Sequence, residues 1–504
     1  MRLDISSHNI KVSQICQRGR EALIQFCKPL IQMGLERVGR QYSMVPKRTF
    51  AGAMKDRSEF RFHVNQLDDL KQHLGHFGFK GDNLTIVEHK TSASSFPQVE
   101  HIIKEMFEPR EQQVPIIDYV LEDGTVKMIT LQTGKGKTYI AMRTAWLMGL
   151  RTCFIFKGMY VERWMQDLEK TFEFEDGELL MVRGSGGLIK LMQMAISGVL
   201  KAKMIVITNK TMYNYIKDYE TTNGKSKLYP IPPHEFYERT GIGYRVMDEV
   251  HLDFHLNYRQ DLYTHTYKSL SLSATMVSSD QFMNRMYDIA YPIHKRNDGG
   301  GYHKYIAVTA ILYRMTRPDI IRCKGGTGGY SHNAFEESLM SKKLMFANYL
   351  KMIEHIVMQK FIKRREDGQK MLIFFASVKL CTLVAERLQK IHPSLKVARY
   401  CQGDEYNDLL DADIGVSTIL SAGTAVDIRN LRITLMTTSI DSRQSNEQAL
   451  GRTRELADFP GITPEFLYLV NTDNDRHMAY HANKQAFFRL KALSQAVAEI
   501  SFLL

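Results

Sequence analysis

The sequence predicts an α/β protein built on parallel sheets, and three observations carry that expectation. Strand-like apolar runs alternate with helix-like segments through the middle of the chain. A glycine-rich loop, Leu131-Gln132-Thr133-Gly134-Lys135-Gly136-Lys137-Thr138, lies between the strand-like run Val126–Thr130 and a helix-like run over residues 139–150. An acidic pair, Asp248-Glu249, closes another strand-like run, Tyr244–Met247.

Residues 1–95 read as a small α+β domain. Residues 13–35 show helical spacing of apolar positions, 60–64 alternate like a strand, 68–77 form a short helix and 84–87 another strand. Basic residues recur here (Arg18, Arg20, Arg37, Arg40, Lys47, Arg48, Lys55, Arg57, Arg61), interleaved with Phe50, Phe60 and Phe62. Two readings fit equally: a surface that tracks a nucleic-acid backbone and stacks on bases, or core phenylalanines under a solvated charged face. The polar run Lys90-Thr91-Ser92-Ala93-Ser94-Ser95 reads as a linker.

Gln113, shortly ahead of the loop, is placed to pair with an adenine edge. In the loop, Gly134 and Gly136 let backbone N–H groups turn toward phosphate oxygens. Lys137 is placed to reach the β- and γ-phosphates, and the Thr138 hydroxyl to hold Mg²⁺. Leu131 departs from the usual first glycine of the pattern. The strands Thr152–Phe156 and Met204–Thr208 follow, the second after a turn at Gly184-Ser185-Gly186-Gly187, with Trp164 on the helix between them. In Asp248-Glu249-Val250-His251, Asp248 is expected to coordinate Mg²⁺ and Glu249 to orient or deprotonate an attacking water. A chance glycine turn and an N-capping acidic pair do not account for loop, strand and His251 together.

Composition narrows the rest. A chain of 504 residues has room for two to four domains, and 44% apolar with 24% charged residues is ordinary globular composition. No apolar run approaches bilayer length, and Met1-Arg2-Leu3-Asp4-Ile5 does not resemble a signal peptide, so a cytoplasmic protein without membrane association is expected. Six scattered cysteines without a CxxC pair suggest a reduced intracellular chain without a zinc module. The net charge of +12 favours a polyanionic partner.

Together, Gln113, the phosphate loop, the Asp248–His251 box and Ser273-Ala274-Thr275 occur in the order seen in superfamily 2 helicases. The second half continues the pattern. Met371-Leu372-Ile373-Phe374-Phe375-Ala376-Ser377 resembles the opening strand motif of the family's second lobe. Residues 417–428, with Gly423-Thr424-Ala425-Val426-Asp427, resemble the motif that contacts nucleic acid and ribose. Gln448-Ala449-Leu450-Gly451-Arg452-Thr453-Arg454 resembles the arginine-finger motif. The resemblance spans nearly all of residues 109–460. A narrower one, to UvsW-like branch-migration helicases of large bacteriophages, rests on Tyr330-Ser331-His332-Asn333 through Ser341-Lys342-Lys343 and on the strand and helix of residues 466–490. More loosely it includes Pro46-Lys47-Arg48-Thr49-Phe50 and Phe77-Gly78-Phe79.

The resemblance implies two tandem RecA-like lobes, at residues 96–292 and 293–504, behind the N-terminal domain of residues 1–95. ATP and Mg²⁺ are expected between the lobes, contacted by Gln113, Thr133, Gly134, Lys135, Gly136, Lys137, Thr138 and Asp427. Thr138 and Asp248 would hold the metal, with Lys137, Asp248, Glu249, Gln448, Arg452 and Arg454 as catalytic groups. His251, expected to bond Gln448, would couple hydrolysis to movement with Ser273 and Thr275. Phosphate contacts are expected from Gly186, Gly187, Thr208, Asn209, Ser377, Thr418 and Thr424, and such contacts select structure rather than sequence. Departures fall at Lys157 for a usual proline, Ala425 for a glycine, and Arg454, one position early, with Glu455 in the usual place. The glycine runs at residues 298–301 and 324–329 lack a following GK[ST] and read as loops.

The activity implied is ATP-driven remodelling of branched, forked or single-stranded DNA: unwinding, branch migration and fork regression. Replication or recombination proteins are the expected partners, and the host cytoplasm the expected location for a phage-borne chain. An RNA helicase, or the translocating subunit of a larger assembly, remains as an alternative.

Overall fold

The computed structural model describes residues 1–504 apart from 39–40, 133, 279, 302, 326–327, 402, 423–425 and 427, and apart from the side chains at 37–38, 41–42, 420 and 444. Thr133, Thr424 and Asp427 therefore lie outside the described residues. The chain forms two compact units, Met1–Gly300 and Gly301–Leu504.

The first unit opens with a five-stranded sheet in the order Gly52–Ala53, Phe60–His63, Asn9–Ser13, Arg2–Ile5, Thr85–Glu88. Helices Gln17–Cys27 and Leu67–His76 bury Leu23, Leu70 and Leu74 in the core that also holds Leu3, Ile10 and Val12. The long helix expected over residues 13–35 is corrected here. It ends at Cys27, Pro29 follows without a backbone N–H, and Ile31–Val38 is a strand paired antiparallel with Gln41–Thr49. Phe50, Phe60 and Phe62 are buried, with Phe62 edge-on to Phe26 at 5.0 Å, and Arg61 is buried too. These aromatics are core, not base-stacking platforms. Arg18, Arg20, Lys47, Arg48, Lys55 and Arg57 remain exposed.

Buried polar bonds fasten this sheet to the segment spanning residues 258–264. Asn9 donates to Thr264 O at 2.9 Å, Arg61 to Leu262 O at 3.3 Å, and Tyr258 to Gln66 Oε1 at 3.1 Å.

A seven-stranded, all-parallel sheet fills the rest of the unit. Its order is Leu179–Val182, Met204–Thr208, Thr152–Phe156, Tyr244–Met247, Lys268–Ser273, Val126–Thr130, Arg296–Asn297. Parallel strands covered on both faces read as nearly continuous apolar runs, and Thr152–Phe156 is buried throughout. Lys268–Ser273 alternates instead. Ser269 accepts from Arg245 Nε at 2.9 Å, Ser271 bonds Tyr291 at 2.9 Å, and Ser273 bonds His251 at 2.6 Å, so each buried hydroxyl is satisfied.

The second unit repeats the plan. Seven parallel strands run in the order Val397–Tyr400, Ile414–Thr418, Lys370–Phe375, Leu431–Met436, Glu465–Asn471, Ala307–Arg314, Ser494–Leu503. The fold is therefore the expected one: two RecA-like α/β lobes with a small α+β region in front. The last strand, largely exposed at its edge, was not anticipated from sequence.

One buried acid in this unit has a measurable consequence. Glu336 is fully buried on helix His332–Met340 and accepts from the amides of Ala376 and Ser377, each at 2.8 Å. Burial pushes its carboxyl up to about 7 from 4.5, against the pull of those two amides. The folded value lies above the unfolded one, so this stabilisation is complete below pH 4.5 and is lost as pH rises through about 7. Across that window the stability of wild type relative to Glu336→Gln should fall by about 3 kcal/mol, followed by thermal melting of both proteins. Equal pH dependence in the two would remove Glu336 as a source.

Candidate active site

Every parallel strand delivers its carboxyl end to one edge of its sheet, where open α/β sheets bind ligands. In the first unit that edge gathers the glycine-rich loop after Thr130, Asp248 and Glu249 after Met247, and Ala274-Thr275 after Ser273. Gly134 and Gly136 both hold positive φ, 87° and 88°, and Gly136 caps helix Lys137–Met148. A Cβ on Gly136 would fall 2.3 Å from Gln113 Nε2, so the backbone must be bare there for Gln113 to pack against it. Gln113 is buried, donates to Lys135 O at 3.1 Å and accepts from Arg110 N at 3.0 Å. Each amide atom keeps further hydrogen-bonding capacity beyond those bonds.

Lys137 donates to Leu131 O at 3.1 Å and lies 3.5 Å from Glu249 Oε1. Glu249 occupies the left-handed region, φ 45°, an uncommon conformation for a side chain of its size. Its other oxygen is 3.3 Å from His251 Nδ1. Asp248 is held from two sides: Trp164 Nε1 donates to Oδ2 at 3.0 Å and the Glu249 amide to Oδ1 at 2.8 Å. Burial and the adjacent Glu249 charge push the Asp248 carboxyl up to about 6, opposed by Lys137 and the Trp164 N–H. Trp164 is itself fixed by stacking on Phe156 at 5.3 Å. Sequence reasoning placed it on the right helix without a role; an indole ahead of an acidic pair carried no signal of contact.

Behind Glu249, Ser273 Oγ accepts from Thr275 N at 3.1 Å and lies within hydrogen-bonding distance of Thr275 O and of His251 Nδ1, the latter at 2.6 Å. A chain of contacts of 3.5 Å or less runs from Lys137 through Glu249 and His251 to Ser273 and Thr275, the expected coupling residues.

Two further observations bear on what fits the loop. Gln132 buries both carboxamide atoms without a hydrogen-bond partner among the described residues, a cost that a polar ligand relieves. Lys157, the departure from a usual proline, pairs with Asp253 at 3.2 Å. The bare glycines, Lys137, the Thr138 hydroxyl, the Asp248 carboxylate and this unmet amide suit a triphosphate with a divalent cation.

Of the remaining expected residues, those proposed to contact phosphates sit at or just beyond strand ends, while Gln448 lies on helix Arg443–Leu450 and Arg452 and Arg454 follow it. Gly186 and Gly187 lie in the first turn of helix Gly184–Ile196, not in a turn before it; Gly184, with φ 67°, makes the reversal. Gly184 N donates to Thr211 Oγ1 at 3.0 Å, and Thr211 bonds Thr208 Oγ1 at 2.8 Å, so the two patches adjoin. Asn209 is buried. In the second unit, Ser377 caps helix Val378–Ile391, while Thr418 is buried and accepts from Ser421 N at 3.2 Å. Arg452 is buried and donates to Val426 O, with Nε on Gln448 O at 3.3 Å. Arg454 and Gln448 are partly exposed. No described helix is long and apolar enough to cross a membrane.

Residues 102–278 match the family described as type III restriction enzyme, res subunit. No curated protein matches. Among solved structures, the chain is similar to the fragment structure of a protein from Vibrio vulnificus YJ016 described as an HsdR subunit of a type I restriction enzyme. That likeness has 15% identity, a TM-score of 0.50, and covers 97% of this chain and 84% of that one. It is also similar to Mss116p bound to ssRNA and AMP-PNP, with 14% identity, TM-score 0.48 and coverage of 77% and 73%. The Pyrococcus furiosus Hef helicase domain gives 14% identity, TM-score 0.42 and coverage of 75% and 98%. The family match lies within the first unit, and the likeness to the HsdR fragment is one of fold across both units.

Proposed function

We propose that the chain uses ATP hydrolysis to remodel branched or forked DNA by unwinding, branch migration and fork regression. The observation that carries this reading is the chain of close contacts from Lys137 and Glu249 through His251 to Ser273 and Thr275. It links a phosphate-binding lysine to a strand end beyond the site, which a stand-alone hydrolase does not need.

Thr138 and Asp248 would hold Mg²⁺, and Lys137 the β- and γ-phosphates. The metal, when bound, neutralises charge on the transferred phosphoryl group. Glu249, braced by Lys137 and His251, would orient the attacking water and take its proton. Arg452, with Arg454 two positions on, would stabilise transition-state charge. Gly186, Gly187, Thr208, Ser377 and Thr418 would guide a nucleic-acid backbone along the strand ends.

A second reading has its own support. The res-subunit match and the HsdR likeness favour a translocase that moves along duplex DNA within a restriction-type assembly. Steady-state ATPase at fixed salt separates the two, measured without nucleic acid and with single-stranded DNA, duplex, four-way junction and matched RNA. Strongest stimulation by junction or fork is expected. Duplex preference without strand separation selects the translocase, and RNA preference overturns both. Ser273→Ala, which breaks the path at its middle, should keep basal hydrolysis within severalfold and lose most of the stimulation; full stimulation in that variant would remove the path as coupling element.

A further inference from the structure

The ribbon formed by Ile31–Val38 and Gln41–Thr49 pairs with neither larger sheet of its unit, among the described residues. Leu35 stands opposite Met44 and Met33 opposite Pro46. Residues two apart on a strand share a face, so these four form one apolar face. It is uncovered: Met33, Leu35 and Met44 are 45%, 66% and 58% exposed. Residues 31–49 carry four basic residues (Arg37, Arg40, Lys47, Arg48) and one acid, Glu36, a net +3.

The foot of the ribbon is anchored where the chemistry is. Gln32 Nε2 donates to Asp280 Oδ2 at 2.6 Å, and Arg48 donates to Gln32 Oε1 at 3.3 Å. Asp280 caps helix Gln281–Ala290, which begins shortly after Thr275. Phe50, at the exit of the ribbon, packs against Phe254, Tyr258 and Phe282 at 5.7, 5.1 and 5.7 Å. Phe254 opens the helix that follows Glu249 and His251.

We propose that this ribbon engages nucleic acid, setting its Met33–Leu35–Met44 face against unstacked bases at a fork or branch and passing that engagement to the segments behind the hydrolytic site. The occupant follows from charge and shape. A segment of net charge +3 attracts phosphates. A two-stranded ribbon fits a groove of the duplex. Met, Leu and Pro are side chains that wedge between base steps. The proposal rests on the DNA-remodelling reading and names the element that would meet the branch.

The test uses the full chain and forked DNA carrying 2-aminopurine at the junction. Wild type should raise the fluorescence on binding. Leu35→Ser with Met44→Ser should lose most of that rise and slow strand separation about tenfold. Melting within about 2 °C of wild type checks the fold, since exposed substitutions perturb stability little. Gln32→Met should keep the fluorescence rise and lose fork-stimulated hydrolysis. A double variant that unstacks and separates the fork as well as wild type overturns the ribbon proposal alone. If the variant instead loses self-association or a protein contact with every DNA readout intact, the face docks protein and the proposal falls. A wild type without any DNA-dependent signal sinks the DNA-remodelling reading, and the ribbon with it.

Discussion

Glu249→Gln should bind nucleotide within about threefold of wild type and hydrolyse it about 10²–10⁴ times more slowly, the usual contribution of a positioned general base. Glutamine keeps the shape and the contact toward Lys137, and it removes the capacity to take a proton. The position is already committed to one conformation, with φ 45° at Glu249 and a carboxylate set between Lys137 at 3.5 Å and His251 at 3.3 Å. Nucleotide titration beside steady-state hydrolysis tests the split. If binding falls in parallel with turnover, Glu249 serves mainly to hold Lys137. Lys137→Ala should lose both, because the lysine is the phosphate ligand in this reading.

The strand ends that build this site were legible because parallel strands are buried on both faces. Val126–Thr130, Thr152–Phe156, Met204–Thr208 and Tyr244–Met247 stand in the sequence as short apolar runs, each followed by residues with chemistry. What failed depended on partners distant in sequence. Ile31, Met33 and Leu35 fit a helix after Cys27 and fit a strand equally, and only pairing with residues 41–49 decides between them. Phe50, Phe60 and Phe62 share their local pattern with a base-stacking surface, and the packing of Phe254, Tyr258 and Phe26 settles them as core. The hold of Trp164 on Asp248 spans 84 positions and leaves no local trace. Ser494–Leu503 hid for the opposite reason: an exposed edge strand carries little hydrophobic signal.

Asp261→Ala should destabilise the first unit by about 3–5 kcal/mol, the cost of leaving a buried charge uncompensated. Arg245 is 1% exposed and spends its guanidinium on Asp261 at 2.6 Å, Thr264 at 2.7 Å and Ser269 at 2.9 Å. It lies on the strand that ends in Asp248, while Asn9 and Arg61 fasten the N-terminal sheet through carbonyls of the Asp261–Thr264 segment. The loss should therefore loosen the strand that leads into Asp248 and the N-terminal sheet together. The chain has two tryptophans, Trp146 and Trp164, both in the first unit, so urea unfolding followed by tryptophan fluorescence reports on that unit alone. Arg245→Met with Asp261→Leu should recover most of the loss, because an apolar pair of similar volume carries no desolvation cost. Recovery in the double variant would place the penalty in the orphaned charge. A double variant as unstable as Asp261→Ala would place it in the hydrogen bonds to Thr264 and Ser269, and the pair would then be holding strand register rather than balancing charge.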